Sequence, residues 1–274
     1  MSAEREMRRV GQVKEVTSLA NPIVKDIKAL ALKKFRDQQH AFMAEGLKLV
    51  IDALDSGWTI RTLIFSKAGK GNAAVEKVAA RTVAAGGTVL EASEKVLAAI
   101  TRRDNPQMVV GVFEQRLVPL SAIRPKAGDV WIALDRVRDP GNLGTLIRSA
   151  VGAGFDGILL YGDCVDPYSP KVIRSTMGTF AYCNLWSITD QEIEDLQANG
   201  FELCITAGLG GTNLYESRFS NKTILAIGSE AHGVCDALQQ RATQKITIPL
   251  QPQCESLNAA VAGSICMFHI SNVR

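Results

Sequence analysis

The amino-acid sequence predicts the α/β fold class with two domains, a small α/β domain followed by a mostly parallel sheet with helices on both faces. In the second half, apolar runs such as "VWIALDRV" and "TILAIGS" alternate with helical segments. Strands of a parallel sheet are covered on both faces, so they appear in a sequence as nearly continuous apolar runs. Between the halves, "LVPLSAIRPKAGD" carries two prolines and no periodic pattern, which indicates a linker.

We therefore expect a first domain at 1–116, a linker at 117–129 and a second domain at 130–274. In the first domain, "NPIVKDIKALALKKFRDQQHAF" predicts one helix that begins at Asn21 and Pro22, residues suited to the N-cap and first helical position. A short extended segment then leads into a second helix that ends at Gly57. The remaining elements are the strand "TIRTLIFS", the helix "NAAVEKVAARTVAAGG", the extended "TVLEAS", the helix "EKVLAAIT" and the strand "QMVVGVFEQ".

The second domain is predicted to begin with the strand "VWIALDRV", followed by a helix over Leu143–Ala153 with Asn142 as its N-cap. After the strand "GILLYG", helices are expected at "PKVIRSTMGTF" and "DQEIEDLQANG". The strands "FELCITAGL" and "TILAIGS", a short helix near "CDALQQRA", the strand "KITIPL" and a last helix from Ser256 complete the pattern. Ligands of such sheets bind beyond the carboxyl ends of the strands, so the loops after strands are the candidate sites.

Composition bounds the class of protein. The 274 residues are 46% apolar with a net charge of +3, but residues 1–118 hold 19 Lys+Arg against 13 Asp+Glu. A basic first half suits a phosphate backbone, although a solvated charged face has the same composition. No apolar run reaches the roughly 18 residues of a membrane span, and the charged N-terminus lacks the apolar core of a secretory signal. We expect a cytoplasmic protein with no membrane partner.

Six cysteines and three histidines give no metal pattern. The cysteines contain no C-x-x-C pair and several lie in apolar runs, which favours buried reduced thiols over disulfides or a zinc site. The chain has only three histidines, His40, His232 and His269, and their spacing gives no metal-binding pattern, so no metal is expected. His232 also has no visible Ser or Cys nucleophile as a catalytic partner.

Two adjacent stretches compete for a ligand-binding role. "GAGFDG" matches G-x-G-x-x-G by letter, but it follows a helix and precedes a strand, whereas a dinucleotide fingerprint follows a strand and opens a helix. Gly152 and Gly154 therefore fit a helix end and a tight turn. "DPGNLGTLIR" has the correct polarity. Arg148 lies at the margin of its apolar stripe and is either a surface arginine or a fixed cation for phosphate or ribose.

Two further strand-to-loop turns carry polar residues. "LAIGSEAHGV" ends an apolar strand, and Gly228 and Gly233 permit close approach of a ligand to the backbone. Glu230 in this turn is either a solvated anion or a hydrogen-bond acceptor in a site. "ITIPLQPQCESLNAAV" ends another strand, and Ser256 or Asn258 caps the following helix.

Together and in this order, the three turns resemble the three motifs of the SpoU/TrmH family of RNA ribose methyltransferases, within the wider SPOUT class. The matching segments are "DPGNLGTLIRSA", "AIGSEAHGV" and "IPLQPQCESLNAAVAGSICMF", with "PKVIRSTMGTF" similar to the family's intervening segment. The first half, through "SLANPIVKDIKALALKKFRDQQHAFMAEGLKLV" and "RDNPQMVVGVF", resembles the ribosomal-protein-like RNA-binding domain of many members. Departures are modest: Ala259 stands where valine is common, and "SEAHG" is bulkier than the usual glycine-rich turn.

The resemblance implies a catalytic sheet tied in a deep trefoil knot, a rare exception to the rule against knots. It implies S-adenosylmethionine as the cofactor, and a homodimer formed through the knotted domain. The residues implied to hold the cofactor are Thr206, Ala207, Gly228, Ile248 and Leu257. The residues implied in catalysis are Asn142 and Arg148 at the ribose and its phosphate, oriented by Glu230, Ser256 and Asn258.

The family resemblance implies that Arg148 acts as a base or as an activator of the ribose hydroxyl. It implies a place for Arg148 either in the site of its own chain or in that of the partner chain. A guanidinium pKa above ~12 makes a neutral arginine costly near pH 7, so we favour electrostatic stabilisation and leave the base role open. The predicted reaction is methyl transfer to a ribose 2′-hydroxyl of RNA, with ribosomal RNA favoured over tRNA. The basic side of the first helix predicts the RNA contacts, Lys25, Lys33, Lys34 and Arg36. Alternatives are a catalytically silent RNA-binding assembly factor and a methyltransferase acting on a base nitrogen.

Overall fold

The computed structural model describes residues 12–116, 120, 125, 126, 128–230 and 232–273. The predicted linker at 117–129 lies largely outside these residues. The chain divides into two compact units, one that ends at Gln115 and also takes in Tyr168–Arg174, and one that contains the rest.

The first unit is built on a five-stranded mixed sheet in the order β1-β4-β3-β5-β2. β1, β4 and β3 are parallel, and β5 runs antiparallel to both β3 and β2. The predicted strands and helices after residue 40 are present, whereas β1 has no counterpart in the sequence prediction. The elements are β1 (Gln12–Val16), α1 (Pro22–Ala29), α2 (Lys33–Gln39), β2 (Ala41–Glu45), α3 (Leu47–Asp55), β3 (Ile60–Ser66), α4 (Ala73–Ala84), β4 (Thr88–Ala92), α5 (Glu94–Thr101) and β5 (Val109–Glu114).

The single helix predicted from Asn21 was wrong, because the structure forms two helices, α1 and α2. Asn21 caps α1 as expected, its side chain accepting from the Ile23 N–H at 2.9 Å. The helix stops where Leu30 is buried, and the guanidinium of Arg36 in α2 donates to the Leu30 carbonyl at 2.7 Å. This tertiary hydrogen bond satisfies a carbonyl that would accept from a backbone N–H in a continuous helix. The spacing of apolar residues in the sequence does not predict such a side-chain bond.

The second unit contains a seven-stranded sheet in the order β10-β12-β9-β11-β6-β7-β8, in which every pairing is parallel. This confirms the predicted parallel sheet. The elements after Gln115 are β6 (Val130–Asp135), α6 (Pro140–Gly152), β7 (Gly157–Tyr161), α7 (Pro170–Ser175), β8 (Leu185–Ile188), α8 (Asp190–Ala198), β9 (Glu202–Thr206), β10 (Thr212–Asn213), β11 (Thr223–Ile227), α9 (Asp236–Arg241), β12 (Gln244–Thr247) and α10 (Ala259–Val273).

The middle of this sheet is rigidly packed. Every residue of β6, β7 and β11 is buried, and the Trp131 ring lies 5.4 Å from Trp186 and 4.8 Å from Phe201 between centroids. Such a core holds the strand ends in place, so the loops that leave them have defined starting points. None of the helices among the described residues has the length and apolar character required to cross a membrane.

Two predicted helix starts were wrong by three residues. α6 begins at Pro140 rather than Leu143, and its N-cap is Asp139, whose carboxylate accepts from the Asn142 N–H at 2.7 Å. α10 begins at Ala259 rather than Ser256, and Asn258 caps it by accepting from the N–H groups of the second and third helical residues. Asp-Pro at the cap and first helical position is a standard helix start, and the earlier start places Asn142 inside the first turn.

The interpretation of "GAGFDG" as a turn is confirmed. α6 ends at Gly152, Gly154 has a left-handed φ of +72°, and β7 begins at Gly157. The three glycines therefore end a helix and redirect the chain into a strand, and none of them opens a helix towards a phosphate.

Candidate active site

The loops after three neighbouring strands of the second unit enclose a cavity of about 280 Å³, which we name the inner cavity. The loop after β9 contributes Thr206 and Ala207, the turn after β11 contributes Gly228, and the segment after β12 contributes Ile248 and Leu257. The structure thus brings together all five residues predicted to hold the cofactor, from segments up to 51 positions apart. Their role in binding stays a prediction.

The lining of the inner cavity is chemically suited to an adenosyl group. Aliphatic side chains supply most of its wall, and Glu230 and Glu255 place carboxylates on it. The Thr206 hydroxyl donates to the Ala226 carbonyl of the neighbouring strand at 3.2 Å, so this hydroxyl already has a partner within the sheet. Apolar walls with a few polar groups and a volume near ~300 Å³ are typical of small-molecule sites. The aliphatic lining residues are Ile227, Ile246, Ile248, Leu250 and Leu257.

The turn after β11 requires glycine at its first position. A Cβ on Gly228 would lie 1.9 Å from the carbonyl carbon of Gly233, far inside van der Waals contact. The Gly233 N–H donates to the Ser229 carbonyl at 2.8 Å, and Gly233 itself has a φ of +64°. The chain therefore folds back tightly on itself, and this fold presents Glu230 at the tip of the turn.

A second cavity of about 320 Å³, named here the outer cavity, shares a wall with the inner one. The shared wall consists of Gly228, Ser229, Glu230 and Ala259. The rest of the outer cavity is formed by the loop after β6, the first turn of α6 and His232. Its other lining residues are Arg136, Val137, Arg138, Asp139 and Asn142. A ligand in either cavity would therefore touch the same turn.

Three polar residues predicted for catalysis meet at this wall. Glu230 Oε1 accepts from Asn142 Nδ2 at 3.0 Å and also from Asn258 Nδ2. Asn258 Nδ2 lies 3.0 Å from Asn142 Oδ1 as a second acceptor. Asn142 makes these contacts because it occupies the first turn of α6 instead of the cap, which leaves its side chain free. Ser256, also predicted, lines the inner cavity.

Arg148 is not part of this cluster within one chain. It lies on the exposed side of α6, six residues beyond Asn142, which corresponds to about 9 Å along a helix axis. It is absent from the lining of both cavities. The apolar stripe beside it faces the core as predicted, through Leu143, Leu146, Ile147 and Ala150.

Asp135 is a residue at this site that the sequence interpretation missed. It ends β6 fully buried, and its carboxylate accepts from Arg136 Nε and Nη2 at 2.8 and 3.2 Å and from the Cys235 N–H at 2.6 Å. The hydrogen bonds to Asp135 raise the pKa of the Arg136 guanidinium above its ordinary value. Asp135 thus ties the loop after β6 to the chain that follows the glycine turn. The sequence signal for this role was the charged pair Asp135 and Arg136 at the end of an apolar strand.

The six cysteine thiols differ in solvent exposure and therefore in reactivity. Burial raises the pKa of Cys183, Cys204 and Cys266 to about 12. All six cysteines are free, and Cys254 is exposed in the segment that also supplies Glu255 to the inner cavity. The thiolate is the reactive form, so these three thiols of raised pKa are inert near neutral pH.

We expect Cys254 to react first with a thiol reagent such as DTNB at pH 8, ahead of the buried thiols, and S-adenosylmethionine to slow its reaction at least severalfold. The ligand would order the neighbouring segment. Cys254→Ser should remove the fast phase, and the unfolded chain should give six equivalents. A fast phase with an unchanged rate at saturating S-adenosylmethionine would contradict placement of the cofactor beside this segment.

The fold and the paired cavities define a parallel α/β protein able to place a small cofactor against a second, polar substrate. Residues 129–268 match the SpoU rRNA Methylase family and residues 21–111 match the MRM3-like substrate binding domain. The chain belongs to the SpoU rRNA methylase family, which confirms the resemblance read from the three motifs.

The relatives agree with this membership. The chain is 31% identical to the 23S rRNA (guanosine(2553)-2′-O)-methyltransferase RlmP of Bacillus subtilis, over 94% of this chain and 99% of the relative. An AdoMet-bound rRNA methyltransferase from Sinorhizobium meliloti superposes with a TM-score of 0.88 at 48% identity, covering 95% and 98% of the two chains. AviRb from Streptomyces viridochromogenes, in complex with AdoMet, gives 0.82 at 26% identity, covering 92% and 97%.

Proposed function

We propose that this protein transfers a methyl group from S-adenosylmethionine to a ribose 2′-hydroxyl of ribosomal RNA. The observation that carries the proposal is the hydrogen-bonded cluster of Asn142, Glu230 and Asn258 at the wall between the two cavities. A cofactor in the inner cavity and a ribose in the outer cavity would meet at this wall. RlmP supports the choice of substrate, since its name describes 2′-O-methylation of 23S rRNA.

The residues of this chain have distinct tasks in such a reaction. The sulfonium of S-adenosylmethionine supplies an electrophilic methyl group, so no metal activation is needed. Gly228, Ile248 and Leu257 would hold the cofactor, and the amides of Asn142 and Asn258 would orient the ribose for in-line attack by its 2′-oxygen. Glu230 fixes both amides through its carboxylate. As the 2′-oxygen forms its bond to the methyl carbon, the bond from that carbon to the sulfur would break, S-adenosylhomocysteine would leave and the hydroxyl proton would pass to water.

Arg148 completes the site in this proposal as a cation from the partner subunit of a homodimer. α6 and α10 pack together, with the hydroxyls of Ser149 and Ser264 2.7 Å apart, and α10 leaves Val261 and Phe268 about half exposed. Exposed apolar side chains on a helix are typical of a subunit interface. An interface there would carry Arg148 to the other chain's outer cavity, where its charge would stabilise the developing alkoxide.

The knot and the cytoplasmic location stay predictions. β12 lies between β9 and β10 in the sheet, and the segment after it lines a cavity together with the loops after β9 and β11. This neighbourhood of three loops is compatible with the trefoil knot implied by the resemblance.

Total RNA from a strain that lacks the gene, incubated with the protein and methyl-labelled S-adenosylmethionine and then separated into ribosomal RNA and tRNA, tests the proposal. A 2′-O-methyl group removes the hydroxyl that alkali uses to cleave RNA, so the label should appear in alkali-resistant dinucleotides. Label in mononucleotides would indicate base methylation and overturn the ribose assignment. Label in tRNA alone would overturn the choice of ribosomal RNA, and no transfer would favour the silent binding factor.

We propose that the first unit binds the RNA phosphates through exposed lysines. Lys25, Lys33 and Lys34 are exposed on α1 and α2, and Lys33 forms an ion pair with the exposed Asp37. Arg36 must be removed from the predicted set, because it is 3% exposed and its guanidinium is used by the Leu30 carbonyl. The helix break described above turns Arg36 inward.

Lys33→Ala with Lys34→Ala is expected to weaken binding of ribosomal RNA roughly 5- to 20-fold and to reduce the salt slope of log affinity by about one to two, because each phosphate contact releases counterions. Filter binding between 50 and 300 mM KCl measures both quantities. Lys48→Ala with Lys77→Ala removes the same charge from exposed positions of α3 and α4 and serves as control. Equal affinity for the two double variants would show that α2 does not contact phosphate.

A further inference from the structure

The outer cavity carries an arginine, Arg138, that the proposed reaction does not yet use. Arg138 lies in the loop between β6 and α6, directly before the helix cap Asp139. Its Nη2 donates to the carboxylate of Asp163, in the loop after β7, at 2.9 Å. The two side chains are 71% and 81% exposed, so this ion pair is open to solvent. Exposed pairs contribute little net stability, and a stronger anion can replace the carboxylate.

Among the described residues that line the outer cavity, Arg136, Glu230 and Asp139 already have hydrogen-bond partners within the protein. Arg136 is held by the buried Asp135, which accepts from two of its nitrogens. Glu230 is bonded to two asparagine amides, and Asp139 to the Asn142 N–H. Arg138 differs from Arg136 in that its partner is an exposed carboxylate outside the cavity lining. Of the two arginines in the described lining, Arg138 is therefore the one that can exchange its partner at low cost.

The position of Arg138 next to Asn142 indicates which anion could replace the Asp163 carboxylate. Arg138 and Asn142 line the same cavity and lie four residues apart in the chain. A ribose held at Asn142 carries a phosphate on each side of the sugar. The planar guanidinium binds two phosphate oxygens at once, which a lysine cannot do.

We propose that Arg138 binds an RNA phosphate next to the target ribose, and that Asp163 is its resting partner and competes with that phosphate. The inference rests on the proposed function for the identity of the substrate. In the free protein the Arg138–Asp163 pair keeps the guanidinium extended at the cavity rim. When RNA enters, the phosphate takes the place of the carboxylate and fixes the nucleotide against the wall formed by Glu230.

The two partners should therefore have opposite effects on binding. Arg138→Gln is expected to weaken binding of ribosomal RNA roughly 5- to 10-fold and to reduce the salt slope by about 0.7, the value for one phosphate of a single strand. Asp163→Asn is expected to tighten binding about 2- to 3-fold, because it removes the competitor. In the Arg138→Gln background, Asp163→Asn should have less than half of that effect, since the arginine it would release is gone.

Filter binding of ribosomal RNA at 50–300 mM KCl, in the presence of S-adenosylhomocysteine, measures these effects without any methyl transfer. Steady-state kinetics then separate the role further: Arg138→Gln should raise KM for RNA and leave both kcat and cofactor affinity within twofold of wild type. Arg241→Gln with Glu194→Gln is the matched control, because Arg241 forms a 2.7 Å ion pair with Glu194 on the same unit and lines neither cavity.

Unchanged affinity and salt slope in Arg138→Gln would overturn the proposal. So would an equal effect of Asp163→Asn in both backgrounds, which would show a general charge effect instead of competition. The binding measurements decide this question independently of catalysis. A wild-type protein that binds RNA through Arg138 but transfers no methyl group would contradict the proposed function and leave the phosphate contact standing.

Discussion

Arg148→Ala is expected to lower kcat for methyl transfer by about 10³-fold, the scale on which removal of a single charge-stabilising group acts in a transition state. Affinity for S-adenosylmethionine should stay within twofold of wild type, because Arg148 lines neither cavity in its own chain. Isothermal titration of the cofactor and single-turnover transfer to ribosomal RNA measure the two quantities separately. Wild-type turnover in this variant would remove Arg148 from the mechanism.

Two further variants define how and where Arg148 acts. We expect kcat of the wild-type protein to rise with pH, because the 2′-hydroxyl must lose its proton during the reaction. If Arg148 stabilises charge, Arg148→Lys should recover part of the rate, and this rise should persist in Arg148→Ala. Loss of that rise would favour the base role. If it acts on the partner's site, Arg148→Ala co-expressed with Glu230→Ala should regain up to about a quarter of wild-type activity, since hybrid dimers contain one intact site. Inactive hybrids would place Arg148 in its own chain's site.

The location of the site follows from the sequence more directly than its internal geometry does. Parallel strands end at one edge of a sheet, so the turns after β6, β11 and β12 could be expected to converge although Asn142 and Asn258 are 116 positions apart. The order of elements also distinguished the two candidate segments: the loop before α6 follows a strand and precedes a helix, as a ligand-binding loop does, whereas the glycines at the end of α6 follow a helix. Both inferences depend on chain direction, which a sequence shows plainly.

The missed features depend on tertiary hydrogen bonds. The break between α1 and α2 forms where Arg36 satisfies the Leu30 carbonyl, and helical periodicity continues through that point. Asn142 is a good N-cap residue, so local preference favoured it over Asp139, whereas the Asp-Pro pair formed the actual start. Asp135 was taken as part of a strand, and its role became apparent only with its contact to Cys235, 100 positions away.

Gly228→Ala is expected to abolish measurable cofactor binding, with at least about a 100-fold loss of affinity, the scale of a large overpacking penalty. The added Cβ would lie 1.9 Å from the Gly233 carbonyl carbon and 2.1 Å from the Val234 nitrogen. Both are backbone atoms of the same turn, so no side-chain rotation can relieve the overlap and the turn itself must open. Because Gly228 lines both cavities, the opening would displace Glu230 from the asparagines as well.

Gly152→Ala provides the matched control for Gly228→Ala. At the last residue of α6 an added Cβ would meet the Phe268 ring at 3.5 Å, an ordinary contact, and alanine is favoured over glycine in helices by about 0.5–1 kcal/mol. This variant should bind cofactor and transfer methyl groups like wild type. Titration calorimetry, with thermal unfolding to confirm that each variant is folded, separates the two cases. A folded Gly228→Ala protein with wild-type cofactor affinity would mean that the cofactor does not depend on the turn after β11, and the inner cavity would lose its assigned role.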